Sequence, residues 1–184
     1  MDNPLAANAL GVAGAVCWSV QLLPQILLNH RRHSATGLQP TMMLLWASAG
    51  VLLGVYNIVS GFTLALQIQP QILCGLSLVT WIQCHYYERR WTKRRCVMVI
   101  LPVAGSMAGL EVGLIFALRA GMMRGVVWPV TLTAVLAALF LALGVLRHYL
   151  DIWRHRTVRG ISFLFVGLDA LGDLTSLISL VFQP

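Results

Sequence analysis

Six apolar runs, each close to the length of a bilayer-spanning helix, constrain this chain more than any other feature. About 20 mainly apolar residues are needed to cross ~30 Å of hydrocarbon. Runs of that length extend from Ala6 to Leu28, Pro40 to Phe62, Leu64 to Tyr86, Cys96 to Leu118, Val126 to Leu146 and Ile161 to Phe182. Charged residues make up only 10% of the chain, and the mean hydropathy is +0.78. Such a surface cannot be wetted on all sides, so the expected fold is an all-α, multi-pass membrane protein embedded in the lipid bilayer.

The net charge of +7 would suit a nucleic-acid binder, but its distribution argues against one. Arg31 and Arg32 follow the first run, Arg89, Arg90, Lys93, Arg94 and Arg95 the third, and Arg147, Arg154, Arg156 and Arg159 the fifth. Only Arg119 and Arg124 are left for the other face. The basic clusters therefore fall on alternate connections, as a count of six spans requires. The positive-inside bias places these loops in the cytoplasm and the N-terminus on the lumenal side. Tyr86, Tyr87, Trp91 and Trp153 sit beside the charges as interfacial anchors.

The first run lacks a basic leader and contains Gln21 and Gln25, which argues for a spanning helix rather than a cleaved signal peptide. Cys17, Cys74, Cys84 and Cys96 have neither paired CxxC spacing nor a histidine at metal-ligand spacing, so no metal site or disulfide framework is expected. His30, His33, His85, His148 and His155 fall near the basic ends of helices, where solvation is the ordinary state. No nucleophile elbow, phosphate-cradling glycine loop or HExxH pattern is present, so the sequence suggests neither an enzyme nor a cofactor.

The chain repeats itself at an offset of 123 residues. Leu23, Arg31, Gly37, Leu45 and Ala47 recur as Leu146, Arg154, Gly160, Leu168 and Ala170. The loops NHRRHSATGLQP, from Asn29, and IWRHRTVRGISF, from Ile152, each carry a basic cluster, then Ser34 or Thr157, then a glycine three residues later. Glycine there suits the turn that starts the next helix.

Pro24, Gln25, Asn29, Arg31, Ser34 and Gly37 form a pattern that resembles the PQ-loop repeat membrane proteins. The resemblance covers nearly the whole chain. It implies two parallel three-helix bundles joined by a linker helix, with solute bound between the halves, as in the related SWEET sugar carriers. On that plan residues 6–86 form the first bundle, 96–118 the linker, and 126–182 a second bundle that lacks its last helix. Arg147 and His148 stand where the second Pro-Gln pair would fall. Pro70-Gln71-Ile72-Leu73 copies the first motif's letters without a basic loop or glycine after it, and reads as a coincidence at the start of the third helix.

Inside a spanning helix, proline removes a hydrogen bond and bends the axis. Pro24 is thus a candidate hinge, and the resemblance puts Gln25 at a cytosolic gate. Asp169 and Asp173 lie ~13 Å and ~20 Å along a helix starting near Gly160, well inside the hydrocarbon. Intramembrane carboxylates face cavities or partners, and by default they mark proton or ion sites. In the cystine carrier cystinosin the proton-binding aspartate lies nine residues beyond the second loop's glycine, the position of Asp169 here. Its counterpart in the first half is Trp46. The alternative is an aspartate neutralised by Arg147 or His148. Trp46 and Asn57 are candidates to line a solute cavity, with a core aromatic and an interhelical hydrogen bond as the plainer readings. Glu111, in the linker, is a third candidate, or else a packing contact or one between copies in a homo-oligomer.

By resemblance the chain is a carrier that moves a small solute, an amino acid, with protons across a vacuolar or lysosomal membrane. The rival expectation is a receptor, sensor or assembly factor that keeps the fold without transport.

Overall fold

The computed structural model describes residues 4–156 and 160–182. The described residues form seven helices: α1 (Pro4–Val20), α2 (Leu22–Arg32), α3 (Pro40–Val59), α4 (Leu64–Glu88), α5 (Lys93–Met123), α6 (Trp128–His155) and α7 (Phe163–Val181). The expectation of an all-α membrane protein holds. Five segments are long and apolar enough to cross a bilayer: α1 with α2 as one run, then α3, α4, α5 and α6. α7, at 19 residues, is the sixth apolar helix.

The helices depart from the expected runs in two ways, and each has a physical cause. The first run divides at Gln21, three residues before Pro24, although Gln21 keeps helical dihedrals (φ −53°, ψ −37°) and its N–H still donates to the Cys17 carbonyl at 3.0 Å. Proline at 24 has no N–H to give the carbonyl of residue 20, so the helical ladder is weakened where the break falls. α5 and α6 outrun their apolar stretches, α6 continuing through Arg147 and His148 to His155. Hydrogen bonding along a helix continues past the edge of the hydrocarbon, which a search for apolar length does not see. Thr157 and Arg159 of the second basic loop lie outside the described residues.

The basic connections after α2, α4 and α6 gather at one end of the bundle. Here this is called the basic end. α3 is the central element and packs against α4, α5 and α6, while α1 packs against α7 and α4. α5 touches α3 and α4 and is otherwise open to the lipid: 6% of its apolar window is buried, against 61% for α3.

The two long-range pairings rely on small residues, as expected where bilayer helices attract through close packing. Across α1 and α7, Gly14 lies against Ser176 and the carbonyl of Gly172. A Cβ on Gly172 would come within 2.6 Å of the Trp18 ring. Across α3 and α6, a Cβ on Gly144 would come within 2.7 Å of Trp46 Cδ1, and Trp46 Nε1 donates to the carbonyl of Leu141 at 3.3 Å. One tryptophan is therefore seated on a glycine at each crossing. The repeat glycines Gly37 (φ +95°) and Gly160 (φ +69°) both adopt the left-handed conformation that their turns require.

Candidate functional site

Gln25 is fully buried, although α2 is otherwise aliphatic up to Leu28. Its Nε2 donates to Asn29 Oδ1 (2.9 Å) and to the carbonyl of Gly160 (3.0 Å), and its Oε1 accepts from the backbone N–H of Ser162 (2.7 Å). Asn29, one turn further along the same face, donates to Gln83 Oε1 on α4 (2.9 Å). Gln83 Nε2 in turn donates to the carbonyl of Ile26 (3.1 Å). This network ties α2 and α4, both in the first half, to the turn that starts α7 in the second. Gly160 presses on the carbonyl of Thr36, leaving no room for a side chain. Glu88, at the end of α4, holds the facing loop by accepting from Ser34 Oγ, the N–H of Ala35 and Thr36 Oγ1. The two halves are thus latched together at the basic end.

Beyond the latch a cavity of about 320 Å³ opens among α1, α3, α4, α6 and α7 and the α1–α2 junction. Asp169 and Asp173 reach it from α7, Gln21 from the α1–α2 break and Gln69 from α4, while Trp18 and Trp46 supply aromatic walls. Leu53, Pro70, Leu73, Leu141 and Val145 complete the lining. Its volume matches the smaller end of small-molecule sites, which are mostly apolar with a few convergent polar groups. Among the described residues no Lys, Arg or His lines it and neither aspartate forms an ion pair. The structure therefore gathers Asp169, Asp173 and Trp46 in one place, while Gln25 stands outside that lining, in the latch. Pro24 sits in α2 one residue before the latch glutamine.

Asn57 and Glu111 lie elsewhere. Asn57 Nδ2 donates to the carbonyl of Leu66 at 2.6 Å. That acceptor is free because Pro70, four residues on, has no N–H to offer it. Pro70 accordingly lies inside α4 rather than at its start, and the copied Pro-Gln letters have a role of their own: Gln71 Nε2 donates to Glu111 Oε1. This pair fastens α5 to α4 beside Gly54, where a Cβ would fall 2.6 Å from Glu111 Oε1.

Among the histidines, His85 departs from expectation. It is buried between the Trp81 and Trp91 rings, at centroid distances of 4.8 and 4.5 Å. The four cysteines are free.

Sequence reasoning did not assign functional parts to Gln83, Ser162 or Gln69. A polar residue inside an apolar run was the available signal for Gln83 and Gln69; Ser162 acts through its backbone and left no signal.

Residues 6–66 and 149–184, which hold the two loops of the internal repeat, match the pattern of the PQ loop repeat. The chain is a PQ-loop repeat protein. It is 39% identical over 181 residues to an uncharacterized protein of Schizosaccharomyces pombe, an alignment that covers 98% of this chain and 64% of that one. It is 35% identical over 183 residues to the uncharacterized membrane protein YDR090C of Saccharomyces cerevisiae, covering 98% and 59%. The chain thus spans about three fifths of the length of these two relatives. The vacuolar histidine transporter YPQ3 of Saccharomyces cerevisiae is 35% identical over 92 residues, 46% of this chain and 29% of that one.

Proposed function

We propose that this PQ-loop repeat protein carries a small solute, an amino acid, across its membrane by alternating access, and that Asp169 binds the coupled proton. The reading rests above all on two carboxylates at membrane depth, without a basic neighbour in the cavity lining, between helices of both halves. Placing unpaired carboxylates in hydrocarbon is costly, and a carboxylate there is retained where it binds a cation or exchanges a proton. Asp169 lies deeper, half-buried, and Asp173 is more exposed. In the arrangement described here the Gln25 latch closes the basic end and the solute cavity lies beyond it. Opening then requires the Gly160–Ser162 turn to part from Gln25, with the α1–α2 break at Gln21 and Pro24 as the hinge.

The cavity's aromatic walls, carboxylates and amides suit a compact zwitterion or cation that can stack on an indole. The partial similarity to a histidine transporter supports histidine as the first probe, a vacuolar membrane as the location and the basic end as cytosolic.

The test is uptake of radiolabelled histidine, lysine, arginine and cystine into proteoliposomes under an imposed pH gradient. Expected are gradient-driven uptake of at least one of the four by the native chain and its loss in Asp169→Asn. Equal, gradient-independent binding without flux in both proteins overturns the carrier reading in favour of a receptor or sensor.

A further inference from the structure

Gln21 stands at the one break in the first spanning segment, between Val20 and Leu22. Its side chain is 4% exposed, and Oε1 is buried with no hydrogen-bond partner among the described residues. Leaving a buried amide oxygen bare is costly, so it marks a place where a donor belongs. The oxygen's residue lines the same cavity as Asp169.

The internal repeat says which donor fits. At the offset of 123 residues, Gln21 corresponds to Gly144 and Trp46 to Asp169. In the pairing of α3 with α6, the Trp46 ring covers Gly144 closely enough to exclude a Cβ. Because the halves repeat, the pairing of α7 with the first spanning segment is the counterpart of that crossing, with Asp169 in the place of Trp46 and Gln21 in the place of Gly144. At the two positions equivalent to Trp46 and Gly144 the other crossing carries a carboxyl and an amide, and its own indole on a glycine, Trp18 on Gly172, lies elsewhere along the same pair of helices.

We propose that Gln21 is the proton reader of this site: protonated Asp169 donates its carboxyl O–H to Gln21 Oε1, and ionised Asp169 cannot. This rests on Asp169 as the proton site. The proton comes from water in the cavity, and no covalent bond other than the carboxyl O–H is made or broken. Among the residues lining the cavity, Asp173, on the same helix, is the only other titratable group. The facing elements contribute Trp18 and Gln21, Trp46 and Leu53, Gln69, Pro70 and Leu73, and Leu141 and Val145, all uncharged. Gln21 lies one turn before Gln25, across the helix break. A hydrogen bond formed at Gln21 therefore pulls on the segment that carries the latch, linking protonation of the cavity to the closed end. Gln21 is a positioning residue in this scheme.

The experiment is infrared difference spectroscopy of the full chain in lipid, taken between neutral and acidic pH. Expected is a protonated-carboxyl band that disappears in Asp169→Asn and moves to higher wavenumber in Gln21→Met, which keeps length and loses the acceptor. A band that is missing from the native chain, or that survives Asp169→Asn, overturns Asp169 as the proton site. A band that is lost in Asp169→Asn but unmoved in Gln21→Met overturns the assignment of Gln21 alone. If Gln21→Met does not fold, native chain labelled with ¹³C at the glutamine side-chain carbonyls replaces it. Acidification is then expected to shift a glutamine carbonyl band in the native chain and not in Asp169→Asn; the absence of that difference overturns the proposal.

Discussion

Gln21 and Gln25 are two buried amides one turn apart, and they mark the two regions of the molecule that differ most. At the latch, both amide atoms of Gln25 are paired, Asn29 and Gln83 are paired in turn, and no formal charge is buried. In the cavity, Gln21 keeps a bare oxygen and shares its space with two carboxylates. A satisfied neutral network rigidifies a contact, whereas unsatisfied polar groups beside a void leave places for a ligand or a proton. The latch is therefore a contact to be broken as a unit, and the cavity a place to be filled.

The contrast can be broken most severely at the cavity. Asp169→Asn is expected to reduce gradient-driven uptake to the level of empty vesicles. Asp173→Asn, at the more exposed position, is expected to leave measurable uptake with a raised KM; equal loss in both would mean that the two carboxylates act as one site. Gln25→Leu comes next. It leaves the N–H of Ser162 and the carbonyl of Gly160 without partners, at ~1–3 kcal/mol each, and should lower the melting temperature in detergent. It should also raise the labelling of a cysteine placed at Ser162 by an impermeant maleimide added on the basic side. Unchanged labelling would mean that the latch does not seal that end.

Smaller effects sharpen the comparison from outside these two regions. Gly144→Ala forces a methyl against Trp46 and is expected to cost ~1–3 kcal/mol through overpacking, measured as a loss of thermal stability in detergent. Asn57→Leu strips the partner from the Leu66 carbonyl and should cost ~1–3 kcal/mol of stability, with KM unchanged, because Asn57 does not touch the cavity. A raised KM in Asn57→Leu would bring that residue back to the solute path.

Much of this was legible because membrane crossing is a property of composition over a short window. Six apolar runs and alternating basic loops mark the long apolar helices and the connections that gather at the basic end without reference to any contact. Pro24, Gly37 and Gly160 were legible for a different reason: each answers to a local backbone conformation that leaves its own residue type behind. Asp169 and Asp173 stood out because a carboxylate in an apolar helix has few explanations. Glu111 and Asn57 stood out just as clearly and serve a clamp and a freed carbonyl instead. Polarity at membrane depth reveals that a partner exists, and only the neighbouring helix reveals which.

The sequence alone thus determined the solvent each helix faces, the repeat, and the residue types too costly to be incidental. The tertiary structure decided which of those residues meet. It closed Gln25 onto a turn more than 130 residues away, gave Asn57 to the carbonyl left by Pro70, and set Gln21 beside the aspartates. Hydration and backbone strain are local energies that each residue carries with it, whereas pairing depends on how α1, α2 and α7 cross.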